Sequence, residues 1–237
     1  MKSLITGGAG FIGSNLVDHL LKQGHQVTVL DNFCTGRKSN LEHVKNKINI
    51  IDIDISKESE ELAKTFNNID WVFHLAGLAD IVPSITNPTS YFETNVTGTL
   101  NVLEASKKSN IKKFIYAASA SCYGVPAKYP TNESSEIKTE YPYALSKFLG
   151  EQLVLHWAKV YKMKNISLRF FNVYGPRSRT TGAYGAVFGV FLAQKLANKE
   201  LTIVGDGKQT RDFIHVFDVV EAIIQIAEKG KSGQSYN

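Results

Sequence analysis

The feature that most constrains this chain is a glycine-rich stretch, residues 6–13, which separates a short apolar run from a helical pattern. Apolar residues recur at helical spacing over residues 11–21, and a β-branched run follows at residues 26–30. A strand, a glycine turn, a helix and a second strand within about 30 residues predict a βαβ unit.

Glycines at positions 7, 10 and 13 allow a tight turn and let a phosphate approach the backbone N–H groups that open the helix. Asp31 ends the second strand, where a carboxylate can accept hydrogen bonds from a ribose 2′-hydroxyl and would repel a 2′-phosphate. This pattern favours NAD. Two alternatives stay open: a turn that only joins strand to helix, and a 2′-phosphate met by Arg37 and Lys38.

Further apolar strands at residues 48–51, 70–76, 112–117 and 166–170 alternate with helical segments. Such βα repeats predict an α/β fold, a doubly wound parallel sheet of the Rossmann type. We place this domain at residues 1–171 and a small C-terminal substrate lobe at residues 172–237. Ligands of such sheets bind at the carboxyl ends of the strands, where Asp31, residues 74–77 and Ser119 fall. His74 is interpreted as a structural, backbone-bonded histidine, because it ends a buried strand.

Composition narrows the classes of function. The chain has 237 residues, is 43% hydrophobic and carries a formal charge of +5. Lysines and arginines are scattered, which argues against nucleic-acid binding. No apolar run approaches the roughly 18 residues of a membrane span. Cys34 and Cys122 stand apart from each other and from any histidine cluster, so we expect no structural metal and a reducing, cytoplasmic location.

Tyr143 and Lys147 stand four residues apart at the start of a long helical pattern, so their side chains can share one face. A lysine beside a phenol lowers the phenol's pKa from about 10, which suits it to exchange a proton with a substrate hydroxyl. The alternative is a solvated helix face.

Eight segments in order resemble the extended short-chain dehydrogenase/reductases, specifically nucleotide-sugar epimerases such as the UDP-glucose and UDP-N-acetylglucosamine 4-epimerases. They are residues 6–13, 31–32, 74–77, 95–99, 119–124, 143–147, 171–177 and 205–213. The resemblance spans essentially the whole chain.

The resemblance implies roles for the matching positions. The catalytic residues would be Tyr143, Lys147 and Ser119. The NAD-binding residues would be Gly7, Gly10, Phe11, Ile12, Gly13, Asp31, Asn32, Asp54, Ile55, Leu75, Ala76, Gly77, Asn95, Tyr143 and Lys147. The substrate contacts would be Ser84, Ser119, Ser121, Tyr143, Asn172, Ala186, Val187 and Arg211. Arg211 suits a diphosphate through its planar fork, although a surface ion pair with Asp212 or Asp218 is the alternative.

Related dehydratases carry an Asp-Glu pair where Ala120 and Ser121 stand, and related decarboxylases carry a Glu at position 121. The absence of both favours NAD-dependent epimerisation at C4 of a nucleotide-diphosphate sugar, through a transient 4-keto sugar. Decarboxylation, dehydration or reduction of the same substrates remain alternatives.

The resemblance also implies a homodimer that packs through the helix bearing Tyr143, which is apolar on more than one side. Relatives are usually longer, so we expect an incomplete substrate lobe in which NAD binding survives better than turnover. A non-catalytic NAD-binding protein is therefore the third hypothesis.

Overall fold

The computed structural model describes residues 1–178, 187–203 and 205–237. That part of the chain forms a seven-stranded parallel sheet. Its strands are β1 (Lys2–Thr6), β2 (Gln26–Asp31), β3 (Ile48–Asp52), β4 (Trp71–His74), β5 (Lys113–Ser119), β6 (Asn165–Phe170) and β9 (Ser235–Tyr236). They lie in the order β3-β2-β1-β4-β5-β6-β9. The strand order runs outwards in both directions from β1, which confirms the predicted doubly wound architecture.

Helices cover both faces of the sheet because alternate strand residues point to opposite sides. The helices are α1 (Phe11–Lys22), α2 (Glu60–Thr65), α3 (Ile81–Thr86), α4 (Pro88–Phe92), α5 (Gly98–Lys108), α6 (Pro142–Tyr161), α7 (Val187–Leu196) and α8 (Val216–Lys229). Ile5 shares a hydrophobic core with α1 and α8, whereas its neighbour Leu4 shares one with α2, α5 and α6. Each face therefore has its own hydrophobic core.

The C-terminal segment divides differently from the boundary predicted at residues 171 and 172. Strands β7 (Asn172–Tyr174) and β8 (Phe213–His215) pair in a separate two-stranded sheet. Helix α8 packs its apolar face into the core beside α1, and β9 joins the main sheet next to β6. Helix α8 and strand β9 thus pack with the main sheet, whereas β7 and β8 form the second sheet.

A π-helical turn, Glu93–Thr97, interrupts the long helix between α4 and α5. Such turns bulge the backbone and are frequent at functional sites. Within the described ranges, no helix combines the length and the apolar character needed to cross a bilayer. The homodimer stays a prediction; Leu145 and Val160 on α6 are 37% and 50% exposed in the single chain.

Candidate active site

One large cleft lies at the carboxyl edge of the sheet, with a volume of about 1460 Å³. Pockets for a single small ligand commonly measure about 300–1,000 Å³, so this cleft has room for two ligands side by side. Its lining includes most of the residues singled out from the sequence: Gly7, Gly10, Phe11, Ile12, Gly13, Asp31, Asn32, Asp54, Ile55, Leu75, Ala76, Gly77, Ser119, Tyr143, Lys147, Asn172, Val187 and Arg211.

The glycine turn admits no side chains where it approaches its neighbours. Gly7 has φ of +71°, and a β-carbon there would lie 2.6 Å from the backbone nitrogen of Ala76. A β-carbon on Gly13 would collide with the carbonyl oxygen of Gly7. Helix α1 begins directly after Gly10, and no side chain caps it. The N–H groups of its first turn have no intrahelical partners, as at the start of any helix, and they stay available to a ligand. This turn therefore suits a pyrophosphate.

Asp31 both supports this turn and lines the cleft. Its two carboxylate oxygens accept hydrogen bonds from the backbone N–H groups of Ala9 and Phe33, each at 2.8 Å. Burial raises the pKa of Asp31, and these two hydrogen bonds oppose that rise. A carboxylate has about four acceptor positions, so Asp31 can also accept bonds from ribose hydroxyls. The residues present thus fit an adenine dinucleotide without a 2′-phosphate.

The reaction end of the cleft combines the carboxyl end of β5 with the first turns of α6. Ser119 caps a short 3-10 turn, Ala120–Tyr123, because its hydroxyl oxygen accepts a bond from the Ser121 N–H at 3.2 Å. The Ser121 hydroxyl also donates to Ser119, at 2.9 Å. Burial raises the pKa of the Tyr143 phenol, and the hydroxyls of Ser119 and Ser121 oppose that rise. The turn thus orients Ser119 towards the phenol, and Ser121, which does not line the cleft, supports it.

The electrostatics differ from the sequence expectation. Burial raises the pKa of Tyr143 above its ordinary value, and the charge of Asp80 adds to that rise. Burial also lowers the pKa of Lys147 to about 7, against the opposing charge of Glu151. The Lys147 Nζ atom lies 4.4 Å from the ring centroid of Tyr116. Desolvation of both groups therefore outweighs the lysine's predicted effect on the phenol in the ligand-free protein.

Asn95 has a different role from the predicted cofactor contact. It is 1% exposed and does not line the cleft. Its side-chain amide accepts from the Leu78 N–H at 2.8 Å and donates to the Leu78 carbonyl at 3.0 Å and to Ser146 at 2.9 Å. From the π-helical turn, Asn95 thus ties the loop after β4 to α6. It positions the site without touching the cavity.

His74 lies in a fully buried chain of hydrogen bonds. Its Nδ1 atom lies 2.6 Å from the Thr6 hydroxyl and its Nε2 atom 2.9 Å from the Thr99 hydroxyl. Thr6 accepts from the Ala76 N–H and Thr99 donates to the Asn95 carbonyl, which assigns the proton to Nε2. Burial lowers the pKa of His74 to about 3. His74 is structural, although its partners are side chains rather than backbone.

The structure does not support the predicted substrate contact of Ser84. Ser84 has no exposed surface, and its hydroxyl donates to the Ile81 carbonyl at 2.6 Å. A ligand cannot reach it in this conformation, because helix α3 turns this serine inward. Ala186 lies outside the described residues.

Two charged residues, Arg177 and Asp80, line the cleft although the sequence pattern assigned them no role. Arg177 holds the loop after β7 against α1 through an ion pair with Asp18 at 2.5 Å. Asp80 has φ of +121°, a conformation that costs a non-glycine residue on the order of 1–3 kcal/mol and clusters at functional sites. Its position just beyond the carboxyl end of β4 was the only sequence signal for it.

This chain is similar in sequence and in fold to known proteins. The sequence model of the NAD dependent epimerase/dehydratase family matches residues 3–237. A putative UDP-glucose 4-epimerase of Methanocaldococcus jannaschii is 38% identical over 92% of this chain and 71% of its own length. A UDP-N-acetyl-alpha-D-glucosaminuronate decarboxylase of Bacillus cytotoxicus is 36% identical over 100% of this chain and 74% of its own.

Among solved structures, the UDP-glucose 4-epimerase of Thermotoga maritima with UDP-glucose superposes with a TM-score of 0.94 at 36% identity. The alignment covers 100% of this chain and 76% of that one. Sequence, fold and cleft point the same way: the chain belongs to the NAD-dependent epimerase/dehydratase family.

Proposed function

We propose that the protein epimerises C4 of a nucleotide-diphosphate sugar, a UDP-hexose or UDP-N-acetylhexosamine. The observation that carries this proposal is the composition of the turn Ala120–Tyr123, directly beside Ser119 and Tyr143. The turn presents no carboxylate to act as a second acid or base. Epimerisation needs only one group that takes a proton from the 4-hydroxyl and returns it.

The residues divide the chemistry as follows. NAD, when bound, would supply the group that takes up a hydride from C4 and returns it to the opposite face of the 4-keto sugar, which inverts C4. Tyr143 takes and returns the 4-hydroxyl proton, and Ser119 hydrogen-bonds the same oxygen. Lys147, whose Nζ atom would lie 3.5 Å from a β-carbon on Gly77, borders the Leu75, Ala76 and Gly77 segment proposed to hold NAD. The protein thus orients the reacting groups and moves one proton.

The outer part of the cleft provides contacts for the nucleotide diphosphate. Arg211 is exposed, lines the cleft and uses one N–H to donate to the Thr210 carbonyl at 2.8 Å. Neither Asp212 nor Asp218 forms an ion pair with it among the described residues. Its remaining donors suit a diphosphate. We assign Asn172 and Val187, which also line the cleft, to the sugar nucleotide as well.

Decarboxylation is the second candidate, since a decarboxylase is nearly as similar to this chain as the epimerases are. It is disfavoured because Ser121, at the position of the related decarboxylases' glutamate, is a hydroxyl engaged with Ser119. Incubation with UDP-glucose, UDP-N-acetylglucosamine and UDP-glucuronate, followed by NMR, distinguishes the candidates. We expect a C4 epimer; released CO2 would instead show decarboxylation, and net consumption of NADH would show a reductase.

Replacement of Tyr143 by phenylalanine tests the proton role. Loss of a positioned acid–base group typically costs about 10²–10⁴-fold in rate, so we expect kcat to fall by that factor while NAD still binds. Tyr141→Phe is the matched control, because Tyr141 is 39% exposed and lies at the start of the same helix. Wild-type kcat in Tyr143→Phe would exclude the mechanism, and no turnover by the wild type would favour the non-catalytic NAD-binding hypothesis.

A further inference from the structure

The Lys147 ammonium is buried against the face of one aromatic ring. Lys147 is 6% exposed, and its Nζ atom lies 4.4 Å from the ring centroid of Tyr116, within the roughly 6 Å over which a ring face attracts a cation. The same side chain lines the cleft, where Nζ would lie 3.5 Å from a β-carbon on Gly77. Tyr116 is fully buried and does not line the cleft. The ammonium thus lies between the ring and the cleft.

The Tyr116 ring is fixed by its neighbours. Its hydroxyl donates to the Lys147 carbonyl at 3.3 Å, and its ring packs against that of His74 on the adjacent strand β4, with centroids 5.5 Å apart. Helix α6 passes the ring at Gly150, where a β-carbon would collide with the Tyr116 hydroxyl oxygen. Glycine at this position therefore lets α6 lie directly on the ring, which keeps the ring and the ammonium in contact.

The carboxylate nearest to Lys147 along α6 is already bound to other partners. Glu151 lies one turn later, and its charge favours the ammonium. Both of its oxygens accept hydrogen bonds from the Arg169 guanidinium, and Oε2 also accepts from the Ser167 hydroxyl. Since a buried arginine neutralises this carboxylate, the face of Tyr116 is the contact that replaces water at Nζ.

Other titratable groups lie on the elements around this lysine. They are His74 on β4, Tyr143 on α6, Tyr91 on α4 and Asp80 in the loop after β4. Burial lowers the pKa of His74 to about 3, so its ring is uncharged at neutral pH. A substitution at position 116 leaves all four groups in the chain, and a change in the Lys147 pKa then reports on the ring.

We propose that Tyr116 is a positioning residue whose ring face keeps the Lys147 ammonium charged and directed towards the cleft. The effect is electrostatic, because the face of an aromatic ring is negative and attracts a desolvated cation. A carboxylate in the same place would add a negative charge beside the phenol and raise its pKa, whereas a ring carries no net charge. The inference deepens the proposed function, since it rests on Lys147 being the charged group beside Tyr143 and the cofactor.

NMR titration of the ligand-free protein, labelled with 13Cε-lysine, measures the Lys147 pKa without turnover, and Lys147→Met identifies the resonance. We expect Tyr116→Leu to lower this pKa by about one unit, the size expected when a desolvated cation loses an aromatic face. Tyr116→Phe keeps the ring and should leave the pKa unchanged. Phe114→Leu, the matched control, removes a fully buried ring that also packs against His74 from the same strand, and it should leave the pKa unchanged as well.

Pentafluorophenylalanine in place of Tyr116 repeats the test with a side chain of similar shape, which covers the case that Tyr116→Leu does not fold. Its fluorines withdraw electron density from the ring face, so we expect a fall in the Lys147 pKa at least as large as that in Tyr116→Leu. A lower pKa means that the ammonium loses its proton at lower pH. The alkaline limb of the kcat profile should therefore move to lower pH in both variants and stay in place in Phe114→Leu.

The proposal is wrong if the Lys147 pKa does not fall in the pentafluorophenylalanine variant, or if it falls equally in Tyr116→Phe or in Phe114→Leu. The outcomes separate it from the proposed function. A pKa that falls as expected in a protein that forms no C4 epimer supports the role of the ring and refutes the epimerase. Epimerisation of UDP-glucose by a protein whose Lys147 pKa is independent of the ring refutes only the role of Tyr116.

Discussion

Lys147 illustrates how a residue with a proposed role in the reaction can work against the stability of the fold. It is 6% exposed, and burial lowers its pKa to about 7. An unfolded lysine titrates near 10.4, so between these two values the unfolded chain binds more protons than the folded one. Stability therefore rises with pH across that interval, and the full cost of the buried charge is present below pH 7.

Removal of the charge should accordingly stabilise the ligand-free protein. We expect Lys147→Met, which keeps the side-chain length, to raise the free energy of unfolding at pH 6 by on the order of a few kcal/mol. The gain should shrink at pH 9, and catalysis should fall in the same variant. Urea unfolding at the two pH values measures this. Lys159→Met, an exposed lysine on α6, should show no such pH-dependent gain; equal changes in both variants would contradict the argument.

At the scale of elements, Arg169 on β6 joins helix α6, which carries Tyr143, to the turn that follows Ser119; both residues have proposed roles in the reaction. Its guanidinium forms a buried pair with Glu151 of α6, with Nη2 2.6 Å from Oε1 and Nε 3.0 Å from Oε2. Its Nη1 donates to the Tyr123 hydroxyl at 2.6 Å, in the turn that begins after Ser119. One planar fork thus fixes this turn relative to α6.

Arg169→Lys keeps the positive charge, but an ammonium group cannot form the planar set of hydrogen bonds that the guanidinium makes with Glu151 and Tyr123. We expect a loss of about 1–3 kcal/mol in the free energy of unfolding from the unsatisfied partners. We also expect kcat to fall several-fold while NAD affinity changes little, because the clamp aligns Ser119 with Tyr143 and does not border the glycine turn. Denaturant titration and steady-state kinetics measure both. Lys64→Met removes an exposed pair with Glu60 and should change neither quantity appreciably.

Regular elements could be predicted from the sequence and irregular ones could not. The apolar spacing of α1 and the β-branched run of β2 are local signals, so they and the sheet they imply were predictable. The π-helical turn at Asn95 depends on the amide's bonds to Leu78 and Ser146, which are distant in sequence. Strand β9 is two residues long and exists only because β6 offers an edge.

At the scale of the molecule, the site was predictable to the extent that parallel strands bring their carboxyl ends to one edge. Residues at those ends, such as Asp31 and Ser119, line the cleft as that rule requires. The substrate contact predicted for Ser84 is not supported, because a resemblance in sequence does not show which way a short helix faces. Asp80 received no role because its place in the cleft depends on the conformation of the loop after β4, and spacing along one segment does not report that conformation.

The cleft joins β1, β2, β4, β5 and α6, so a dinucleotide bound there should stabilise the whole molecule. At a free concentration of 100 times its Kd, NAD should add about 2.7 kcal/mol. For a domain of this size that raises Tm by roughly 5–10 °C in protein stripped of cofactor. NADP should raise Tm far less, because its 2′-phosphate would meet Asp31, which is 8% exposed and already fixed by two backbone N–H groups.

Thermal melts of two variants, each with NAD and with NADP, test whether Asp31 causes the expected preference for NAD. Asp31→Asn should narrow the difference between the NAD and NADP shifts, since it removes the like charge from the ribose site. Asp52→Asn should leave that difference intact: Asp52 pairs with Asp31 across β2 and β3 but is exposed and does not line the cleft. If NADP raised the wild-type Tm as much as NAD does, Arg37, which also lines the cleft, would be compensating the phosphate, and Asp31 would not determine cofactor choice.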